Sequence, residues 1–335
     1  MKLPAVLLKK GYFTDVYFVK SRDVLRGLKK NTNVLMQVFC KQEGILCGVE
    51  ETKWLLKQCL GNRSKVKVKA LKDGDRIRPW ETVMTLEGNY ADFAVYETVY
   101  LGILSRRTAV ASNVRKAAEA AKGKPVIFFG ARFDHFLMQE GDGYAALVGG
   151  CAGVSTDANA AWMNVKSVGT IPHALIASFK GDTAASCRAF YKHFGDKVFA
   201  LVDFKNDCVK TSLEVARKLG KNLAGVRLDT AENMKDRSVP PRGGRGVSAD
   251  LVRNVRKALD REGFHRVKIM VSGGFTADKL REFNRLKVPY DSVGIGSWFY
   301  RDRIDFTADI VLVEGKPCAK VGRRYRPNPR LKRII

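Results

Sequence analysis

No two cysteines are spaced Cys-x-x-Cys in this chain, and its seven cysteines, Cys40, Cys47, Cys59, Cys151, Cys187, Cys208 and Cys318, are odd in number. That pattern argues against a disulfide framework and a structural zinc site, and fits a reducing compartment. The opening Met1–Lys10 carries too short an apolar stretch between its charges for a secretory signal or a membrane span, so a soluble cytoplasmic protein is expected. No G-x-G-x-x-G follows the first strand pattern of the second half to open a helix, which weighs against a dinucleotide fold, and no repeat of fixed period is present. Acidic residues are in deficit, 34 against 60 Lys and Arg, leaving a formal charge of +26. Such a field attracts polyanions: nucleic acid, an anionic membrane or a multiply phosphorylated small substrate. A solvated, lysine-rich surface is the plain alternative. With 45% apolar and 28% charged residues, the composition is that of a globular protein and not of a disordered one.

The pattern changes along the 335 residues. Val34–Phe39 and Thr82–Leu86 read as strands, Lys65–Leu71 alternates charged and apolar residues with period two, and Lys72–Asp75 is a turn; together they predict a small sheet. Ala91–Ala121 reads as one long helix ending at Lys122–Gly123. From Pro125 to about Phe299, short apolar runs alternate with helical stretches such as Thr211–Leu219, Ala249–Arg261 and Ala277–Leu286, which predicts right-handed βαβ units and a parallel sheet. Seven runs are strand candidates: Val126–Arg132, Gly153–Ser155, Ser167–His173, Ala200–Asp203, Gly225–Asp229, Ile269–Gly274 and Ser292–Gly296. That is one short of a full (β/α) barrel, and an open doubly wound sheet stays available. Asp309–Val321 is a hairpin signal about Glu314–Gly315, most simply returning to the N-terminal sheet, and the basic, proline-broken Gly322–Arg333 is expected to be extended.

Polar residues gather where these runs end, and in a (β/α) barrel that is the catalytic face. Ser272-Gly273-Gly274 and Gly294-Ile295-Gly296 close the last two strands. Bare glycine backbone there suits a phosphate, although either loop alone reads as an ordinary tight turn. Arg227 and Asp229 lie two apart on one strand and so face the same side, ready to grip a carboxylate and a hydroxyl or Mg²⁺, or simply to pair with each other. Asp203 ends the previous strand and supplies a second carboxylate, enough for Mg²⁺ that keeps its waters and substrate phosphates. Phe129 and Arg132 end the first strand; an aromatic face beside a guanidinium suits a flat anionic ring, and a core Phe with a surface Arg is the rival reading. His173 stands directly after Gly169-Thr-Ile-Pro172, where a loop at a strand end favours a catalytic role over the structural one usual for a lone histidine. His135, His193 and His265 fall in helical or helix-end patterns, the last two read as surface residues.

Taken in order, Thr14–Tyr17 (TDVY), Phe129–Arg132 (FGAR), Gly149–Ser155 (GGCAGVS), Gly169–His173 (GTIPH), Leu201–Asp203 (LVD), Gly225–Thr230 (GVRLDT), Val271–Gly274 (VSGG), Val293–Gly296 (VGIG) and Gly315–Lys320 (GKPCAK) resemble the type II phosphoribosyltransferases, most closely the compact nicotinate phosphoribosyltransferases. The resemblance covers nearly the whole chain. It implies transfer of phosphoribosyl from phosphoribosyl pyrophosphate to nicotinate, giving nicotinate mononucleotide and pyrophosphate in NAD biosynthesis. It also implies an α/β fold: an irregular seven-stranded (β/α) barrel at 116–300, a discontinuous N-terminal α/β sandwich domain at 1–115, and a segment 301–335 whose hairpin returns to the sandwich before the basic tail. By the same resemblance, the pyridine ring lies between Phe129 and Tyr17 of the partner subunit, so a homodimer or higher homo-oligomer is implied. Arg227, Arg132, Ser155 and Thr170 then contact the substrate, Asp203 and Asp229 face the ribose hydroxyls and Mg²⁺, and Gly273, Gly274, Gly294, Gly296 and Lys320 hold phosphate. In relatives the histidine matching His173 is phosphorylated by ATP, which opens ATP coupling here.

The basic loop Pro240–Gly246 goes beyond that pattern, and Arg242 and Arg245 are expected to bind pyrophosphate as a mobile lid. Phe204 and Lys205 are bulkier and more basic than expected beside the ribose. Quinolinate phosphoribosyltransferase is the competing enzyme; it needs cations for a second carboxylate, and Phe129–Arg132 with Gly169–His173 stand nearer the nicotinate enzymes. Asp157 keeps a nicotinamide acceptor open. A nucleic-acid-binding protein is the alternative of a different class, supported by the charge, the Arg-Gly-Gly run and the tail, and opposed by the lack of a base-reading motif.

Overall fold

A computed structural model describes residues 5–61 and 64–335; Met1–Pro4 of the opening stretch lie outside the described residues. The chain divides into two compact units, Met1–Asn113 with Glu140–Gly149 and Tyr300–Ile335, and Val114–Gln139 with Gly150–Phe299. In chain order the first unit begins with β1 (Asn33–Cys40), β2 (Gly44–Ile45), β3 (Lys67–Ala70), β4 (Arg76–Ile77) and β5 (Thr82–Asn89). The second holds β6 (Val126–Phe128), β7 (Gly153–Val154), β8 (Val198–Leu201), β9 (Leu223–Leu228), β10 (Lys268–Val271) and β11 (Ser292–Ile295). The chain then returns to the first unit as β12 (Phe306–Val313), β13 (Lys316–Pro317) and β14 (Lys332–Arg333).

The first unit is an antiparallel sheet in the order β13-β12-β1-β5-β3-β14, with the short pair β2-β4 beside it. Period-two alternation sets its faces: Val68 and Ala70 of β3 are buried while Lys67 and Lys69 face water. Val34, Met36 and Val38 of β1 join Leu55, Leu56, Met84, Leu86, Phe93 and Tyr100 in one core. The returning hairpin pairs β12 with β1 in antiparallel register from Val34↔Val313 to Cys40↔Phe306. The basic tail is extended but not loose. Gln37 Nε2 donates to the Arg324 carbonyl at 3.0 Å, Asn328 Nδ2 donates to the Thr82 carbonyl at 2.8 Å, and β14 covers the open edge of β3.

One helix boundary and one domain boundary differ from the sequence expectation. The helix expected over Ala91–Ala121 starts later, at Glu97, and runs to Ala120, preceded by two 3₁₀ turns at Tyr90–Asp92 and Ala94–Tyr96. Phe93, Ala94, Val95 and Tyr96 are all buried, which leaves no wet face for a one-sided helix. The segment Glu140–Gly149, read as part of the barrel, belongs to the first unit. Its buried Asp142 receives Arg106 at 2.6 Å and Arg107 at 2.8 Å, and Arg107 also pairs with buried Glu51 at 2.8 Å. Gly141 is required there, since a Cβ would stand 2.0 Å from the Arg107 guanidinium.

The second unit is a curled, all-parallel sheet in the order β7-β6-β11-β10-β9-β8, with β6 wholly buried. Outer helices Cys208–Leu219, Ala249–Arg261 and Ala277–Arg285 are each started by a side-chain cap, from Asp207, Ser248 and Thr276. Six strands form where seven were expected. The candidate Ser167–His173 is a loop that touches both edges of the sheet: Val168 N–H donates to the Val154 carbonyl of β7 at 2.8 Å, and Ile171 N–H donates to the Phe199 carbonyl of β8 at 3.2 Å. Pro172 has no N–H to give a ladder and Gly169 has no side chain to pack, so two hydrogen bonds replace a strand.

Candidate active site

Every strand of the curled sheet delivers residues to one cavity of about 630 Å³ at its C-terminal ends, formed entirely by the second unit. Phe129 follows β6, Ser155 follows β7, Asp229 follows β9, Ser272–Gly274 follow β10, and Gly294 with Gly296 close β11; Arg132, His173 and Arg227 complete the polar lining.

Arg227 organises this floor. Its Nε donates to Ser272 Oγ at 2.8 Å, Nη1 donates to Thr170 Oγ1 at 3.1 Å, and Nη2 pairs with Asp229 Oδ2 at 3.1 Å. The guanidinium carbon lies 4.7 Å from the centroid of the Phe129 ring. Ser272 Oγ in turn donates to Asp229 Oδ1 at 2.7 Å. The internal ion pair and the substrate-facing group are therefore one structure: a cation fixed in orientation by three partners and still one-sixth exposed, at 18%. Ser272 was not singled out from the sequence. Its role depends on β9 and β10 lying in parallel register, Leu228 beside Val271, which puts it against Asp229.

His173 begins the short helix His173–Ser178, and its Nε2 lies 3.1 Å from Asp203 Oδ1. Burial raises the Asp203 carboxyl above its usual range, His173 lowers it in part, and the negative Asp229 raises it further. Two carboxylates thus feel each other across β8 and β9.

Glycine serves two different ends here. Gly273 and Gly274 have positive φ, 78° and 66°, immediately before the capped helix Ala277–Arg285, so their backbone follows a path few other residues tolerate. Glu232, a residue the sequence did not mark, packs over Gly274: a Cβ there would fall on its Oε1. Gly294 and Gly296 instead make room for rings, since a Cβ would stand 2.3 Å from the Phe129 ring and 2.3 Å from the Phe133 ring.

The remaining expected residues are distributed as follows. Arg132 is exposed and stacks on Phe133, 5.3 Å from its centroid. Ser155 is half-buried in the lining. Tyr17 and Lys320 belong to the first unit and are exposed, Tyr17 at 57%. Pro240–Gly246 is anchored at its C-terminal end: Gly246 N–H donates to the Met234 carbonyl at 2.7 Å, and Arg245 Nη1 donates to the Asn233 carbonyl at 2.8 Å. Buried Asp236 anchors the preceding turn by accepting from Cys208 N–H at 2.8 Å and from the Ser238 hydroxyl at 2.7 Å. Arg242 and Phe204 are exposed.

A curled parallel sheet whose strand ends present a fixed guanidinium, two carboxylates and a glycine turn before a helix N-terminus is an α/β fold with the chemistry to hold an anionic small molecule. The comparisons narrow this. Residues 15–108 match the profile of the quinolinate phosphoribosyl transferase N-terminal domain and residues 110–306 that of its C-terminal domain. The chain belongs to this family, the type II phosphoribosyltransferases.

Nicotinate phosphoribosyltransferase pncB1 of Mycobacterium tuberculosis is 30% identical over 271 residues, 77% of this chain and 56% of that protein. Nicotinate phosphoribosyltransferase pncB2 of the same organism is 27% identical over 74% of this chain and 50% of its own length. The chain spans about half the length of these curated relatives. Among solved structures, nicotinate-nucleotide pyrophosphorylase from Pyrococcus furiosus superposes with a TM-score of 0.83 at 37% identity, covering 95% of this chain and 79% of that one. Human nicotinic acid phosphoribosyltransferase shares the fold, with a TM-score of 0.71 at 17% identity over 91% of this chain and 75% of that one. Among the described residues, no helix is long and apolar enough to cross a membrane.

Proposed function

We propose that this protein transfers phosphoribosyl from phosphoribosyl pyrophosphate to nicotinate, yielding nicotinate mononucleotide and pyrophosphate for NAD synthesis. The observation that carries this reading is the guanidinium of Arg227, fixed by three partners and held over the Phe129 ring. One fixed cation beside one aromatic face matches a pyridine with one carboxylate. The nicotinate nitrogen attacks C1′ with its lone pair while the C1′–O bond breaks and its electron pair leaves with pyrophosphate. No proton moves, so no general base is needed. Phe129, Arg227 and Ser155 orient the ring, Thr170 acts on it through the Arg227 guanidinium it holds, Arg132 guards the rim, and Gly273 and Gly274 offer backbone to the 5′-phosphate, with Gly294 and Gly296 opening the adjoining space. Lys320 is kept as a phosphate contact on the resemblance alone. Asp203 and Asp229 stabilise the cationic ribose that develops as the bond breaks.

These two carboxylates suit Mg²⁺, because Asp229 raises the Asp203 carboxyl and a divalent cation relieves that repulsion. Among the described residues no cluster of three His, Cys, Asp or Glu is arranged for a metal, so its remaining ligands come from substrate phosphates and water. When bound, the ion neutralises charge on the departing pyrophosphate.

Quinolinate is the second reading, favoured by the family profile and by the name of the Pyrococcus furiosus protein. Its second carboxylate would fall to Arg132. The test is a panel of nicotinate, quinolinate and nicotinamide with phosphoribosyl pyrophosphate and Mg²⁺, with and without ATP, followed by chromatography of the mononucleotide. Nicotinate turnover is expected. Turnover of quinolinate with loss of CO₂ would replace the acceptor, and turnover of none would reject the activity.

A further inference from the structure

A larger cavity, about 820 Å³, lies at the opposite, N-terminal ends of the same strands. It exists because the sheet has a loop where a seventh strand would run. The interior side chains of a (β/α) barrel are normally supplied by every strand, and together they fill it. Here Gly169 stands in that loop, with open space wherever a side chain would begin. Ile127, Phe129, Ile171, Phe190, Phe199 and Met270 give the void an apolar floor.

Its rim is charged. Lys268 is held by Asp291 at 2.9 Å and Lys166 reaches Asp196 at 3.8 Å, whereas Lys197, also on the rim and exposed, forms no ion pair with a described residue. The surplus is therefore one ammonium beside an apolar chamber. Phe129 lines both cavities, and Thr170, in the rear wall, accepts a hydrogen bond from Arg227 at 3.1 Å. The partition between the chambers is thus made of ring-site residues.

We infer that this rear chamber is a second small-molecule site, for an aromatic monoanion whose rings fill the apolar floor and whose negative group meets Lys197. Its occupancy is coupled to the front site through Phe129 and Thr170, and by linkage the coupling runs equally both ways. Only the coupling rests on the proposed activity; the site itself does not.

The probe is 8-anilinonaphthalene-1-sulfonate, which joins apolar rings to one fixed negative charge and fluoresces when it leaves water. Titration of the full chain is expected to show saturable binding of one equivalent that persists with phosphoribosyl pyrophosphate in excess. Gly169→Leu, which puts a side chain into the open space, and Lys197→Glu, at an exposed position, should each weaken the probe at least about tenfold. If Gly169→Leu fails to fold, as judged by its circular dichroism, Lys197→Glu decides alone. Absence of saturable binding, or affinity unchanged in the folded variants, would overturn the site. A shift in nicotinate affinity when the probe is bound supports the coupling, and an unchanged affinity removes it. Because binding is read without turnover, a chain inactive on every acceptor but still binding the probe at Lys197 would reject the activity and keep the site.

Discussion

Arg227 is where sequence, geometry and chemistry meet most tightly. Its spacing from Asp229 was readable, because residues two apart on a strand must share a face. Its third partner was not, since Ser272 reaches Asp229 only through the β9–β10 register. Lysine cannot reproduce a planar fork that serves Ser272, Thr170 and Asp229 together. Arg227→Lys should therefore raise KM for nicotinate by about tenfold or more while leaving KM for phosphoribosyl pyrophosphate within about twofold. Steady-state kinetics check this, and equal losses for both substrates would remove the assignment of Arg227 to the carboxylate. His173 carries a separate expectation. Nε2 lies 3.1 Å from Asp203, and the ring is about half exposed, so it is both oriented and open to solvent. If ATP is coupled here, incubation with γ-labelled ATP should leave acid-labile label on the wild type and none on His173→Ala. Turnover indifferent to ATP, with no label, would assign His173 to orientation of Asp203 instead.

At the scale of elements, periodic helices, alternating strands and short apolar runs such as β6 were legible, and irregular segments were not. The outer helices declared themselves through period and caps, and β3 through its alternating lysines. The loop at Ser167–His173 reads as a strand because its apolar residues face the sheet edges it bridges; only its two hydrogen bonds distinguish it. The helix Glu97–Ala120 starts six residues later than expected, after the buried Phe93–Tyr96, and its starting residue carries a pH signature. Burial, then Asp309 and Asp15, push the Glu97 carboxyl up to about 8. The folded chain thus holds a proton that the unfolded chain has already released, and Glu97 weakens stability progressively as pH rises from the ordinary carboxylate range to about 8. Glu97→Gln removes that penalty, so its melting temperature should exceed the wild type's by a few degrees near pH 8 and approach it near pH 5. Differential scanning calorimetry at both pH values decides this, and a gap that is independent of pH would show that Glu97 is ionised throughout.

For the whole molecule, two questions separate cleanly. The charge of +26 was the most conspicuous number in the sequence, yet it is shared equally between the two units and includes lysines spaced along wet strand faces. A field carried by both units attracts phosphorylated substrates, and no base-reading motif accompanies it. Binding to an unrelated DNA duplex should accordingly be weak and vanish by about 0.2 M salt, and tight binding at that salt would revive the polynucleotide reading. The assembly question turns on Tyr17, which is exposed in the first unit, whereas the front cavity is built wholly by the second. If Tyr17 of the partner subunit closes the ring site over Phe129, Tyr17→Ala and Phe129→Ala should each be nearly inactive, and neither should be rescued by more substrate. Mixing them under conditions that exchange subunits gives a mixed dimer with one site lacking both rings and one site keeping both. Random reassortment makes half of the dimers mixed, so about a quarter of the wild-type rate should return. A chain that supplied both rings to its own site could not do this, because every site in the mixture would then lack one. Recovery of about a quarter, together with a dimer mass by light scattering, would establish exchange of Tyr17 between subunits; no recovery from dimers shown to be mixed would confine the site to one chain.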